Sequence, residues 1–172
     1  MTAETGDPYG IRAGEQQLPF DPAVRATDAG LVFIGRIHSP WTERSQCPKN
    51  LRQARESGAT ATVEIDAAYR DGLTGLEGLS HVILLYWMHR GRRDLIVQHP
   101  HHAPRPKGVF ALRSPVRPNP IALAVVKVVR IDYAAGTITV DAIDCLDGTP
   151  LLDVKPYYAS TDAVPDAVVP QS

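Results

Sequence analysis

Several things are scarce in this chain of 172 residues, and each absence excludes a class. There are two cysteines, Cys47 and Cys145, too few for a disulfide framework, and they read as free thiols of a reducing compartment. No apolar run approaches the ~20 residues a membrane-spanning helix needs. The opening stretch, MTAETGDPYGIRAGEQQLPFDP, lacks the basic region and apolar core of a secretory signal. No GxGxxG turn is present for a dinucleotide, and no fixed-period repeat appears. A net charge of −1 removes any global attraction to nucleic acid. A cytoplasmic protein with no membrane and no metal is therefore expected.

Turn formers are abundant instead, with 15 prolines and 13 glycines. Between them lie short β-branched segments: LVFIGRIH (31–38), ATATVEI (59–65), LSHVILLYWMH (79–89), GVFALR (108–113), and ALAVVKVVRIDY joined by AAG to TITVDAIDC. LDGTPLLDVKPYY adds a turn and a short strand. Residues 42–58 read as loop with one helical turn, and 67–78 as a short helix interrupted by glycines. Strands at short intervals with few helices predict a mostly β, single-domain barrel and not a doubly wound sheet. Residues 1–28 read as a polar extension, 29–168 as the barrel domain and 169–172 as a tail.

Charge is segregated along the chain. Arg90, Arg92, Arg93, Arg105, Lys107, Arg113 and Arg117 face only Asp94 in their stretch, whereas from Asp132 onward seven aspartates face Lys155 alone. A basic patch on a near-neutral protein is the expectation. Within it RSPVRPNP places Pro115, Pro118 and Pro120 around two arginines. Each ring fixes φ and restricts the residue before it, so the corner is expected to be rigid enough to aim side chains. Its carbonyls also need side-chain partners.

IGRIHSPW, CPKN, GLEGLSHVILLYWMHR, KGVFALRSPVRPNPIALAVVKV and DCLDGTPLLDVKPYYASTDAVPDA, in that order, resemble the TsaA-like domain of the TrmO family, the tRNA N6-threonylcarbamoyladenosine methyltransferases. The resemblance runs from about Val32 to Ala167. It implies a barrel that binds S-adenosyl-L-methionine without a Rossmann sheet, works as a homodimer, and methylates a modified adenosine beside the tRNA anticodon. By motif match it implies cofactor contacts from Lys49, Asn50, His89, Arg90, Arg113, Leu123, Leu146, Asp147, Gly148 and Thr149. Asp147 is the candidate catalytic carboxylate. Arg117, Asn119, Lys155 and Tyr157 are candidate substrate contacts. Three positions depart from the family pattern: Ala122 replaces a glycine, Leu112 a threonine, and Leu79-Ser80-His81 stands for FSH. Ala122 is expected to narrow a pocket by one methyl. The second, C-terminal domain of many relatives is expected to be absent.

The chemistry explains these residue types. Methyl transfer from a sulfonium is an in-line displacement, so the protein mainly has to position donor and acceptor. A methionine carboxylate wants cations, and an adenine wants an apolar slot. A carbamoyl-bearing nitrogen is poorly nucleophilic, and a base helps it. His81 and Trp87 are expected in the core. Lys155 is expected either to pair with Asp153 or to meet phosphate. His99, His101 and His102 lack the further ligands a zinc site needs. Two alternatives stay open: a methyltransferase of this fold with another substrate, and a non-catalytic RNA- or ligand-binding barrel.

Overall fold

A computed structural model describes residues 11–21, 24, 30–100 and 103–169. In chain order the elements are β1 (Gln16–Gln17), β2 (Gly35–His38), α1 (Leu51–Glu56), β3 (Ala61–Ile65), a 3₁₀ segment (Ala67–Leu73), β4 (His81–Trp87), β5 (Leu95–Gln98), β6 (Lys107–Gly108), a 3₁₀ turn (Val109–Ala111), β7 (Ile121–Asp132), β8 (Thr137–Val140), β9 (Thr149–Pro156) and α2 (Ala159–Asp162). No helix among the described residues is long and apolar enough to cross a membrane. The elements fall into two compact units.

The larger unit, Leu31–His89 with Ile121–Val169, is a closed antiparallel barrel in the order β2-β3-β8-β7-β4-β9. Its core follows the two-residue period of a strand. Along β4, Val82, Leu84 and Tyr86 are buried while the alternate residues are half-exposed. The inward residues of β7 and β8, Ala124, Val126, Ile138 and Val140, complete the interior with Ile37, Val63 and Leu151. This parity corrects one expectation. His81 and Trp87 share a face, but it is the outer face, because Val82 and Tyr86 beside them already point inward. His81 accepts or donates a 2.9 Å bond with Ser80 Oγ through Nδ1 and stands edge-on to Tyr157. Ala122, by contrast, packs against the core, so its additional methyl is absorbed by the interior.

The smaller unit, Arg90–Pro120 with the described part of Met1–Gly30, carries the three-stranded sheet β1-β5-β6. Two readings change here. The basic 90–107 stretch is not all loop, since Leu95–Gln98 is β5 and pairs on both sides. GVFALR is not a strand: only Gly108 of it joins the ladder, opposite Val97, and the chain then turns through Val109–Ala111. The ladder with β5 ends at Gly108, where the chain turns away and leaves Ile96 and Leu95 without a β6 partner. Gln17 and Arg92 both bond the Asp94 carboxylate, Arg92 through Nε and Nη2 at 2.8 Å each.

Two outcomes are expected. A Cβ on Gly35 would lie 2.0 Å from the Glu64 carbonyl oxygen of the neighbouring strand. Gly35→Ala should therefore force β2 and β3 apart, costing roughly 1–3 kcal/mol and several degrees of melting temperature; an unchanged melting curve refutes the close approach. In the smaller unit, hydrogen bonds from Arg92 outweigh burial and hold Asp94 at a pKa of about 2. Burial opposes ionisation of Glu15, but bonds from Arg12 and the His99 N–H win and bring it to about 2. Depressed carboxylates stabilise the fold above their ordinary values, and that stability is lost as pH falls through the folded values. Protection of the Leu18 and Val97 amides, relative to the intrinsic exchange rate at each pH, should fall between pH ~4.5 and ~2, and Asp94→Asn should flatten that dependence.

Candidate functional site

One end of the barrel is built by two sequence-distant segments stapled together. β2 runs into His38-Ser39-Pro40-Trp41, and β9 begins with the turn Leu146–Thr149. The Asp147 N–H donates to the Trp41 carbonyl at 2.8 Å and the Gly148 N–H to the Ile37 carbonyl at 2.9 Å. The Ser39 hydroxyl donates to the Cys145 carbonyl at 2.8 Å, and the Trp41 indole to the Ile143 carbonyl at 3.0 Å. Gly148 sits at φ +74°, the left-handed region that favours glycine. Thr149 closes the turn by donating its hydroxyl to the Leu146 carbonyl at 2.6 Å.

Asp147 projects from this turn with its side chain 45% exposed. Its Oδ1 accepts the Ser39 N–H at 3.1 Å and lies 3.5 Å from His38 Nδ1. The other ring nitrogen of His38 meets Glu64 Oε2 at 2.7 Å, and that hydrogen bond holds the Glu64 carboxyl below its usual range. One imidazole thus bridges two carboxylates on β3 and the turn, and only its protonated form donates to both. His38, Ser39 and Glu64 were not singled out by the sequence. The sole signal was alternation along IGRIH, which puts His38 and Arg36 outward.

Cys47 brings the CPKN loop to the same end. Burial and the nearby Asp144 push its thiol up to about 11, and burial raises Cys145 further. Both thiols stay protonated near neutrality, which argues against a cysteine nucleophile. Asp144 accepts the Tyr86 hydroxyl at 2.8 Å. Asn50 is the N-cap of α1, accepting the Gln53 N–H at 3.0 Å. Lys49 is exposed one residue earlier, and its N–H donates to the Gln53 side chain at 2.9 Å. His89 follows β4 in a turn closed by its own N–H to the Trp87 carbonyl and is exposed. Leu123 is 46% exposed on the outer face of β7, opposite Leu85.

Lys155 and Tyr157 do not join this set within one chain. They lie at the far end of β9, six and eight residues from Thr149, roughly 20 and 26 Å at ~3.3 Å per residue. Lys155 pairs with Asp153 at 2.6 Å, and Tyr157 donates its N–H to the His81 carbonyl at 3.3 Å.

Arg90, Arg113, Arg117 and Asn119 belong to the smaller unit. Arg113 and Arg90 are exposed. Arg117 instead turns back on its own corner, donating to the Leu112 carbonyl at 3.0 Å and reaching that of Ser114 at 3.5 Å. Arg93 donates to the Pro118 carbonyl at 2.6 Å and reaches Asn119 Oδ1 at 3.4 Å. Gln98 donates to the Val116 carbonyl. The proline corner's carbonyls are thus held by side chains, as its lack of N–H donors requires. Within the basic stretch, Arg92, Arg93 and Arg117 therefore each have a partner inside the smaller unit. His99 sets its two ring nitrogens against the Ala13 and Ala103 carbonyls. His101 and His102 lie outside the described residues, and no group of three metal-ligand types occurs among those described.

Residues 36–163 match the family model for the tRNA-methyltransferase O N-terminal domain. The chain belongs to this family. Among curated proteins it is 45% identical over 129 residues to a probable S-adenosyl-L-methionine-binding protein, VirR, of Rhizobium radiobacter, covering 75% of this chain and 71% of that one. It is 39% identical over 131 residues to an S-adenosyl-L-methionine-binding protein of Archaeoglobus fulgidus, covering 76% and 91%. A crystal structure of TrmO superposes with a TM-score of 0.66 at 35% identity, covering 82% of this chain and 62% of that chain. One from Pseudomonas aeruginosa gives 0.63 at 34%, covering 81% and 59%. The chain thus spans about three fifths of the solved TrmO proteins. The mostly β barrel expected from the sequence is the fold observed.

Asp147→Ala removes an acceptor of the Ser39 N–H and the partner of His38. The turn should lose roughly 1 kcal/mol of hydrogen bonding, and His38→Gln should cost less because Ser39 still holds Asp147. Equal melting temperatures for Asp147→Ala and wild type would show that the staple rests on the backbone bonds alone.

Proposed function

We propose that this protein is an S-adenosyl-L-methionine-dependent methyltransferase whose acceptor is N6 of a threonylcarbamoyl-modified adenosine in tRNA. The observation that carries the reading is the Leu146–Thr149 turn in a chain of this family. The residues present fit the cofactor. A Cβ placed on Gly148 would meet nothing within 4 Å, so open space lies over a backbone that a ligand can approach closely. Beside it stands an exposed carboxylate, Asp147, and the CPKN loop carries an exposed cation, Lys49. Leu123 offers apolar surface on β7. When bound, the cofactor supplies a methyl group activated by a sulfonium.

In this reading Asp147 accepts hydrogen bonds from ligand hydroxyls, with Ser39 and His38 fixing its carboxylate. That assignment follows from its partners: the Ser39 N–H and the His38 ring both approach Oδ1 and hold the carboxylate in place. Lys49 complements a ligand carboxylate. A homodimer forms part of the reading, and Ile121, Leu123 and Val129, 42–55% exposed on β7, supply apolar surface for it. The basic Arg90–Arg117 segment supports RNA as the partner.

Incubation of tRNA with protein and labelled donor, followed by mass analysis of nucleosides, tests the substrate. A methyl on the threonylcarbamoyl adenosine is expected, and label in any other product overturns the substrate. In a thermal-shift titration S-adenosyl-L-methionine should raise the melting temperature. Asp147→Ala should weaken that affinity about tenfold or more, the scale of a lost hydrogen bond to a charged group. No stabilisation of the folded wild type would end the methyltransferase reading.

A further inference from the structure

The most exposed aromatic among the described residues is Phe110, at 83%, and it sits in the basic segment. Its placement is not accidental fraying. Val109 beside it is 1% exposed and anchors the turn, and the Leu112 N–H closes the turn onto the Val109 carbonyl at 3.2 Å. On the other side Gly108 is held in the sheet opposite Val97. A buried neighbour, a ladder residue and a closing hydrogen bond together hold the ring outward on a rigid base.

The surroundings indicate what meets it. Lys107 and Arg113 are each three residues away, within about 11 Å by chain reach alone, and Arg105 is five away. No acidic residue occurs between Leu95 and Ile131. Arg93 and Arg117 donate to carbonyls of the proline corner and Arg92 to Asp94. Arg105 and Arg113 lie on the surface. The apolar surface in the turn is small: Gly108 and Ala111 are exposed but tiny, and Leu112 is half-buried. A protein partner would want a contiguous apolar patch. A lone ring among cations matches an unpaired nucleotide, whose base stacks on an aromatic face while its phosphates meet arginine and lysine.

We propose that Phe110 is a stacking platform for an unpaired base of the RNA substrate, with Lys107, Arg105 and Arg113 receiving the adjoining phosphates. The proposal rests on the RNA reading of the preceding section. Base–aromatic stacking typically changes affinity by about 5- to 150-fold on loss of the ring.

The test uses the full chain and an anticodon stem-loop RNA with 2-aminopurine replacing the loop adenosine beside the anticodon. Wild type should quench its fluorescence and bind with a steep salt dependence. Phe110→Ala should abolish the quenching and weaken RNA binding at least fivefold. Phe110→Trp should restore both, and the S-adenosyl-L-methionine thermal shift should be the same in all three. Wild-type binding without quenching, or full quenching by Phe110→Ala, overturns the platform while leaving the RNA reading intact. No RNA binding by wild type overturns both. A Phe110→Ala variant that keeps RNA affinity but changes its elution volume in gel filtration would make the ring a contact between copies of the chain. One that keeps RNA affinity but loses the thermal shift would make it a cofactor contact. Either result overturns the proposal.

Discussion

Pairing of the first barrel strand with the last is the constraint on which the rest of this structure depends. β2 and β9 meet at Gly35–Leu151, Arg36–Pro150 and Ile37–Thr149, about 110 positions apart in the chain. That closure removes both open edges of the sheet. It also lays HSPW against DCLDGT, so that the Asp147 and Gly148 N–H groups find the Trp41 and Ile37 carbonyls. Without the register at Ile37–Thr149 the turn would have no floor, and Asp147 would have neither Ser39 nor His38. Gly35 is part of the same constraint, because β2 approaches β3 too closely for a side chain.

Stability and recognition are divided among the cations of the smaller unit. A corner with three prolines lacks three backbone donors, so its carbonyls recruit Arg93, Arg117 and Gln98. Arg92 is paired with a carboxylate whose pKa is lowered to about 2. What appears in the sequence as one basic stretch is thus two populations, one turned inward to hold the corner and one turned outward. Exposed pairs such as Lys155–Asp153 contribute little to stability, so the inward group carries more of the fold.

The charge pattern around Asp147 gives that residue its character. An imidazole between two carboxylates, and a main-chain N–H on one of them, fix the orientation of the Asp147 side chain. The neighbouring thiols are kept neutral by burial and by Asp144. The end of the barrel therefore presents an anchored hydrogen-bond acceptor and an accessible backbone, which suits binding and orientation.

The sequence by itself determined the class of fold and its family. Period-two alternation along LSHVILLYW and TITV, turn residues at short intervals, and the long motifs RSPVRPNP and DGTPLLDVKPY are local properties that a reader of residues can see. The need of the proline corner for side-chain partners was legible for the same reason. Tertiary structure alone decided the rest. Which parity of β4 faces inward depends on the partner strands, and this put His81 and Trp87 outside. GVFALR leaves the ladder after Gly108 because the chain turns through Val109–Ala111 with Val109 buried, a choice made by packing. The assignment of Arg92, Arg93 and Arg117 to internal partners, and the bridge from Asp147 through His38 to Glu64, arise from contacts between residues distant in sequence. No local propensity encodes them, because they exist only once the barrel has closed.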